Sequence, residues 1–315
     1  MNRLSSRHVL GIEHMTVRDV ELVLDTADAL KNILDRPIKK VPPLRGRSVV
    51  HLFFEPSTRT RLSFELAAKR LSADTVSVTA AASSVVKGES LLDTALNIEA
   101  MRPDIIVLRH PLSGAPHFLA RHVNAPVINA GDGANEHPSQ ALLDLFTVRE
   151  RFGRITGLRI AIIGDISHSR VAHSDIRAFD KMGAEVTVCG PGTMIPPYVD
   201  ALGAKSVRSV EEALDGADVV MVLRIQKERQ GGCLVPSVRE YAHLYGITRD
   251  RLRLAGPDVV LMHPGPVNQG VELAPDVFND SRSVILDQVT NGVAVRMALL
   301  SLLIISDTNR EGDGT

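Results

Sequence analysis

Short apolar runs rich in valine and isoleucine recur along this chain and constrain its fold more than any other feature. They occupy residues 49–54, 105–108, 127–128, 160–163, 186–188, 219–223, 259–262 and 284–286. Segments of helix length separate many of them; Phe64, Ala67, Ala68 and Leu71, for example, follow the i, i+3, i+4, i+7 spacing of one helix face. Short buried strands that alternate with helices indicate parallel sheets covered on both faces. The predicted fold class is therefore α/β.

The length of 315 residues predicts two domains, at roughly 100–200 residues per domain. A glycine-rich stretch at 131–135 precedes a helix pattern that starts after Pro138 and runs to about Arg151. We place the boundary inside or just after that helix, so that each half holds one mostly parallel sheet flanked by helices. The apolar stretch 297–305 is about half of a membrane span and is interpreted as a buried helix.

Charge and cysteine content exclude several classes of protein. Lys and Arg total 36 and Asp and Glu total 37, a net charge of −1 that argues against a nucleic-acid or membrane-surface binder. Two cysteines, Cys189 and Cys233, cannot form a disulfide framework and fit a reducing cytoplasm. No P-loop, HExxH, CxxC or GxSxG motif is present. We therefore expect chemistry between small anionic substrates, with no metal and no cofactor.

Ligands of open α/β sheets bind beyond the carboxyl ends of the strands, so the residues that follow each run are candidates for a site. After the first run, Ser57 is expected to be the N-cap of a helix whose unpaired N–H groups and dipole favour an anion. The hydroxyls of Thr58 and Thr60 and the guanidinium groups of Arg59 and Arg61 complete a phosphate pocket. The alternative is a capped helix start with solvated arginines.

Polar residues follow the other runs as well. Arg109 ends one strand, and His137 and Gln140 lie three apart at a helix start, where both can face one ligand. Residues 164–170 follow the run 160–163, which is the position that a dinucleotide-binding fingerprint would occupy. They lack the G-x-G-x-x-G motif, and this absence disfavours an NAD-dependent oxidoreductase. Arginine suits carboxylates as well as phosphate, so Arg224 is either a ligand contact or part of a solvated basic loop.

Three blocks of sequence resemble the transcarbamoylases. They are FFEPSTRTR at 53–61, HPSQALLD at 137–144 and RIQKER at 224–229. The first is similar to the carbamoyl-phosphate signature of that family, and the third, with His263-Pro264-x-Pro266, to its aspartate branch. The resemblance runs to about Leu303. It implies a carbamoyltransferase that moves the carbamoyl group of carbamoyl phosphate to L-aspartate, a committed step of de novo pyrimidine biosynthesis.

The resemblance also assigns the site residue by residue. Carbamoyl phosphate would contact Ser57, Thr58, Arg59, Thr60, Arg109, His137 and Gln140. Aspartate would contact Arg170, Arg224, Gln226, Gly265 and Pro266, and the catalytic roles fall to Arg59, Thr60, Arg109 and His137. Ser83 and Lys87 would come from a neighbouring subunit. The implied domains are 1–138 with 290–308 for carbamoyl phosphate and 139–289 for aspartate, with 309–315 as a disordered tail.

The implied assembly is a cytoplasmic homotrimer with shared active sites, which regulatory chains or a dihydroorotase could join. No nucleic acid or membrane partner is expected. Gln269 departs from relatives that carry arginine there, which removes one cation near the aspartate side chain. The alternatives are an ornithine or other amino-acid transcarbamoylase, and a non-catalytic paralogue. The paralogue is disfavoured because every carried-over residue type is present.

Overall fold

The computed structural model describes residues 3–79, 90–225 and 237–312, and of residues 307–312 only the backbone. The chain divides into two compact units. One consists of Met1–Leu143 and Thr290–Thr315, and the other of Asp144–Val289. We call them the first and the second unit.

The first unit is built on a four-stranded sheet in the order β2-β1-β3-β4, with every neighbouring pair parallel. In chain order its elements are α1 (Val17–Lys31), β1 (Ser48–Phe53), α2 (Thr58–Arg70), β2 (Asp74–Thr79), α3 (Leu91–Glu99), β3 (Ile105–His110), α4 (Ala115–Ala120) and β4 (Val127–Asp132). A short 3-10 helix, Asn32–Asp35, follows α1. The aliphatic side chains of β1 and β3 are buried because helices cover a parallel sheet on both faces.

The second unit holds a five-stranded parallel sheet in the order β7-β6-β5-β8-β9. Its elements are β5 (Arg159–Ile163), α6 (Arg170–Lys181), β6 (Glu185–Cys189), β7 (Ala204–Ser206), α7 (Val210–Leu214), β8 (Val219–Val222), α8 (Val238–Tyr245), α9 (Arg249–Leu252), β9 (Val260–Met262) and α10 (Pro275–Phe278), with 3-10 helices at Gly192–Met194 and Val199–Leu202. The boundaries between the units fall within two further helices, α5 (Pro138–Phe152) and α11 (Ile285–Gly312).

The two parallel sheets confirm the predicted α/β class, but two details of the strand prediction differ from the structure. The run 284–286 is not a strand: Ser283 forms one bridge to Leu261, and α11 begins at Ile285. The edge strands β2 and β7 were not predicted, because polar residues interrupt their apolar side chains and leave no apolar run.

Helix α11 contains the longest apolar stretch of the chain. The part Ile285–Ser306 is long and apolar enough to cross a membrane by length and composition alone. Most of it is nevertheless buried inside the protein, and side chains such as Met297 and Leu300 are completely covered. This confirms the interpretation of 297–305 as a buried helix.

Candidate functional site

In the first unit, the carboxyl ends of β1, β3 and β4 lie side by side. Phe53, the last residue of β1, is in register with Arg109 near the end of β3. The Phe54 N–H donates to the Arg109 carbonyl at 2.9 Å, which extends the pairing by one residue. The segments that follow β1 and β4 therefore start from the same edge of the sheet, where α/β proteins bind ligands.

Helix α2 begins at this edge with Ser57 as its N-cap residue. Ser57 has the extended backbone of an N-cap, but its hydroxyl makes no capping hydrogen bond. The prediction that Ser57 caps the helix is therefore right in position and wrong in the bond. No acidic residue stands in the first turn, where Thr58 and Arg59 are exposed and Thr60 is buried. Because first-turn N–H groups lack intrahelical partners, this helix start suits an anion.

Other helices of the described chain use their N-cap hydroxyls in the ordinary way. In each, a serine or threonine side chain accepts a hydrogen bond from the backbone N–H three residues on, the usual capping arrangement. These residues are Thr16, Ser90, Ser169, Ser209, Ser237 and Thr248. Unlike these hydroxyls, the hydroxyl of Ser57 accepts no hydrogen bond from the first turn of its own helix.

The guanidinium of Arg109 contacts the backbone of Ala130 and the side chain of Glu55. Nη1 donates to the Ala130 carbonyl at 3.0 Å, and Nη2 lies 3.2 Å from Glu55 Oε1. Both side chains of the ion pair are mostly buried, with 11% and 19% of their surfaces exposed. Burial also lowers the pKa of the adjacent His110, whose Nδ1 accepts the Leu112 N–H. The end of β3 thus presents a fixed cation.

The loop between β4 and α5 is fixed by buried polar side chains. Asn129 Nδ2 donates to the Leu10 carbonyl at 2.8 Å and to Asp132 Oδ1 at 2.7 Å. Asp132 Oδ1 also accepts the Glu136 N–H at 3.2 Å, and Glu136 Oε2 accepts the Ile12 N–H at 2.8 Å. Because buried polar groups with satisfied hydrogen bonds rigidify their surroundings, this network sets where α5 begins.

Gly11 shows how closely the N-terminal segment packs on this loop. A Cβ at Gly11 would lie 2.7 Å from Glu136 Oε1. Glu136 immediately precedes His137, which is only 4% exposed, and Gln140 in the first turn of α5 is 9% exposed. The Gln140 N–H donates to the His137 carbonyl at 2.9 Å, which keeps the two residues on one tight turn. Both predicted residues therefore lie at the start of α5, after β4.

In the second unit, Arg170 is the first residue of α6. Ser169 caps that helix by accepting the Ala172 N–H, and Arg170 itself is only 2% exposed. In the preceding loop, Asp165 Oδ1 accepts the His168 N–H at 3.1 Å and lies 2.9 Å from His168 Nδ1. A buried arginine at this position, after β5, is a cation held close to the sheet edge.

Arg224 and the loop 263–268 lie at the same edge of the second sheet. The Leu223 N–H donates to the Ile163 carbonyl at 2.8 Å, which ties the end of β8, just before the half-buried Arg224, to the end of β5. After β9, the Gly265-Pro266 peptide bond is cis, and Gly265 has φ +64 in the left-handed region that favours glycine. Since β5, β8 and β9 are neighbours, Arg170, Arg224 and the Gly265-Pro266 peptide lie along one edge of the second sheet.

Two family descriptions match the chain in succession. Residues 7–150 match the carbamoyl-P binding domain of aspartate/ornithine carbamoyltransferases, and residues 156–303 match their Asp/Orn binding domain. The chain belongs to the aspartate/ornithine carbamoyltransferase family. This confirms the transcarbamoylase resemblance of the three sequence blocks.

Individual members of the carbamoyltransferase family are similar over almost the whole chain. The aspartate carbamoyltransferase catalytic subunit of Syntrophotalea carbinolica is 61% identical over 297 residues, 94% of this chain and 95% of that protein. The Trypanosoma cruzi aspartate transcarbamoylase, solved with N-(phosphonacetyl)-L-aspartic acid, has a TM-score of 0.85 and 31% identity, covering 95% of this chain and 96% of its own. The Pyrococcus furiosus ornithine carbamoyltransferase reaches the same TM-score at 28% identity, with 95% and 97% covered. The fold is thus common to both branches of the family.

Some residues assigned from the carbamoyltransferase resemblance cannot be placed. Ser83, Lys87 and Gln226 lie outside the described residues. Conversely, Glu55, Asn129 and Glu136 were not predicted, although they hold Arg109 and the start of α5. The pattern Gly-Asp-Gly at 131–133 was a signal that this loop is tightly turned, but sequence spacing does not reveal its hydrogen-bond partners.

Proposed function

We propose that this chain is a carbamoyltransferase that joins the carbamoyl group of carbamoyl phosphate to the amine of L-aspartate, which gives N-carbamoyl-L-aspartate and phosphate. The observation that carries the proposal is the start of α2, where the uncapped Ser57 hydroxyl and the first turn share a sheet edge with Arg109. The high identity to proteins named as aspartate carbamoyltransferase catalytic subunits supports aspartate as the acceptor.

The phosphate of carbamoyl phosphate binds at the start of α2 in this proposal. Ser57, Thr58 and Thr60 supply hydroxyls, and Arg59 and Arg109 supply the charge. A helix N-terminus favours a dianion through its N–H groups and its dipole, and arginine binds phosphate oxygens in pairs. Arg59 also stabilises the leaving phosphate, because negative charge accumulates on it as the C–O bond breaks.

The reaction itself needs no protein nucleophile. The aspartate amine attacks the carbonyl carbon and a tetrahedral oxyanion forms. Phosphate then leaves with the electrons of the broken C–O bond and takes up the proton that the amine nitrogen loses. Thr60, Arg109 and His137 donate to the oxyanion, and Gln140 holds the carbamoyl amide. Orientation of two bound reactants can supply effective molarities of about 10⁵–10⁸ M, and each oxyanion donor is worth on the order of 10²–10³ in rate.

Aspartate binds in the second unit, with its carboxylates against Arg170, Arg224 and Gln226. The backbone of Gly265 and Pro266 receives the amine or the carbamoyl NH₂. The attacking amine must be neutral, and nearby guanidinium groups disfavour the ammonium form by like-charge repulsion. The burial of Arg170 strengthens this effect, since charges interact more strongly away from water.

The proposed assembly is a cytoplasmic homotrimer in which Ser83 and Lys87 of each chain complete the site of its neighbour. Exposed apolar side chains support a subunit contact on α2: Leu62 and Leu66 lie one turn apart and expose 46% and 45% of their surfaces. Regulatory chains or a dihydroorotase would attach to other surfaces of the trimer. The domain roles follow the two units, with carbamoyl phosphate in the first and aspartate in the second.

An acceptor assay tests this function. Purified protein is supplied with carbamoyl phosphate and, separately, with L-aspartate, L-ornithine and other amino acids, and the carbamoylated product is quantified. We expect N-carbamoyl-L-aspartate alone. Arg59→Ala should abolish it, whereas Arg36→Ala, a change of an exposed arginine after α1, should not. Turnover with ornithine would place the chain in the other branch, and phosphate release without any acceptor product would refute transfer.

A further inference from the structure

Glu272 contacts both ends of the loop that follows β9. Its side chain is fully buried, and its Oε1 accepts the Asn268 N–H at 2.5 Å. The same oxygen lies 3.4 Å from His263 Nε2. One buried carboxylate therefore bridges the first and the last residue of the segment that carries Gly265 and Pro266.

The His263 ring also contacts the middle of the loop, at Gly265. Its Nδ1 accepts the Gly265 N–H at 2.7 Å, so Nδ1 bears no proton and the neutral ring keeps its proton on Nε2, toward Glu272. The hydrogen bond made by one ring nitrogen sets which nitrogen is protonated, and a carboxylate beside Nε2 favours a proton there. The carboxylate and the imidazole thus control the direction of the Gly265 amide.

The main chain of His263 is anchored separately. Its N–H donates to Gln288 Oε1 at 2.9 Å, and Gln288 Nε2 donates to Asp144 Oδ1 at 2.6 Å. Because the backbone is held from this side, loss of Glu272 would leave the end of β9 in place. The consequence would be a ring free to change its tautomer and orientation, and a Gly265 amide without a fixed partner.

We propose that Glu272 is a positioning residue for carbamoyl transfer, which holds His263 in the Nε2–H form and thereby orients the Gly265-Pro266 backbone toward the reacting amine. The inference rests on the proposed function, in which that backbone contacts the substrate. It adds a buried residue that does not itself touch substrate and that the sequence motifs did not single out.

The kinetic test compares Glu272→Ala and Glu272→Gln with wild type. The alanine variant loses both contacts, and we expect kcat to fall about 10²-fold, the effect of misplacing a reacting group by about 1 Å. KM for carbamoyl phosphate should stay within about threefold, because that substrate binds at the first unit. Glutamine keeps an acceptor oxygen, so kcat of Glu272→Gln should fall at most about tenfold, which is the difference between a charged and a neutral hydrogen bond.

Tyr241→Phe is the matched control. Tyr241 is buried, and burial together with the charge of Glu272 raises its pKa, which puts the two side chains in one cluster. Its hydroxyl makes no hydrogen bond within the described part of the chain. This variant should therefore keep the wild-type kcat. A kcat for Glu272→Ala equal to wild type, with only a lower melting temperature, would overturn the inference and leave a purely structural role.

Nitrogen-15 NMR of the His263 ring supplies a readout besides activity. Wild type should show the Nε2–H tautomer, and Glu272→Ala a mixture; the same tautomer in both would refute control by Glu272. Should Glu272→Ala not fold, Glu272→Gln is measured in a His263→Asn background. There it should have no further effect on kcat, and an equal loss in both backgrounds would contradict coupling through His263. Wild-type protein inactive with aspartate would instead refute the proposed function.

Discussion

Glu55 Oε1 lies 3.2 Å from Arg109 Nη2, so the guanidinium that we assign to the substrate phosphate is also the partner of a carboxylate. A phosphate dianion that binds Arg109 has to compete with Glu55 for the same N–H groups. The contact of Nη1 with the Ala130 carbonyl keeps the guanidinium in place independently of this ion pair. We therefore predict that Glu55, besides contacting Arg109, lowers the affinity of this position for phosphate.

Removal of the competing charge should tighten phosphate binding. We expect Glu55→Gln to lower the Kd for inorganic phosphate by a factor of about five, which corresponds to about 1 kcal/mol. Isothermal titration calorimetry measures this directly. Asp104→Asn is the control, since Asp104 pairs with Arg47 beside the first residue of β1, at the opposite end of the strand. Weaker phosphate binding by Glu55→Gln would mean that Glu55 positions Arg109 and does not compete.

Ser57 and Ser209 occupy equivalent cap positions and should respond differently to alanine. Ser209 accepts the Glu212 N–H, so Ser209→Ala should cost about 1 kcal/mol of stability and leave phosphate affinity unchanged. Ser57 makes no capping bond, so Ser57→Ala should keep the melting temperature and weaken phosphate binding about tenfold. Thermal unfolding and calorimetry on both variants test the contrast. A destabilised Ser57→Ala protein with normal affinity would assign Ser57 to the helix alone.

Asp175 should make the protein less stable as the pH rises. Burial, and then the charge of Asp144, raise the pKa of Asp175 well above its ordinary 3.8. The folded state then binds a proton that the unfolded state has released, so stability falls from about pH 4 upward through the raised pKa. Asp175→Asn mimics the protonated acid and should flatten this slope in urea unfolding, whereas Asp180→Asn, exposed on the same helix, should not. Parallel slopes for all three proteins would show that Asp175 is ionised when folded.

Shared sites predict recovery of activity in mixed trimers. Lys87→Ala and Arg59→Ala should each be nearly inactive, because every site lacks one of the two side chains. A site is intact only when the chain that supplies Arg59 is a Lys87→Ala subunit and the neighbour that supplies Lys87 is an Arg59→Ala subunit. In an equal mixture of the two subunits, about one quarter of the sites should meet this condition. Activity is assayed after dissociation and reassembly, with subunit exchange verified by native mass spectrometry. Verified hybrids without recovery would exclude a site shared between subunits.

The sequence predicted the central strands well because their burial is written into composition. Runs such as 105–108 and 160–163 are apolar throughout, as strands covered on both faces require. The edge strand β2 has the sequence DTVSVT and exposes half of its residues, so it gives no such run. The run 284–286 was wrongly predicted to be a strand. Three consecutive apolar residues occur equally well in a strand and at the junction of a loop with a helix, so the run alone does not decide between them.

The positions of Arg109 and Arg170 in the fold were predictable because each lies at or just after the end of an apolar strand. What holds these residues was not predictable, because it depends on pairs distant in sequence. Glu136 meets Ile12 across 124 residues, and Arg109 meets Glu55 across 54. No local period relates such partners, and only the folded backbone brings them together. The same holds for Glu272 and His263, whose spacing of nine residues fits neither a helix nor a strand.

The hydrogen bonds that join the N-terminal segment to the β4–α5 loop have a consequence for the synthesis of the chain. Leu10 and Ile12 are synthesised early, and more than a hundred further residues follow before Asn129 and Glu136 are available to bind them. Until then the turn that carries His137 lacks its outer support. The support of the turn before α5 is therefore complete only after Glu136 has been made, and an N-terminal extension that displaces Leu10 or Ile12 should loosen the start of α5.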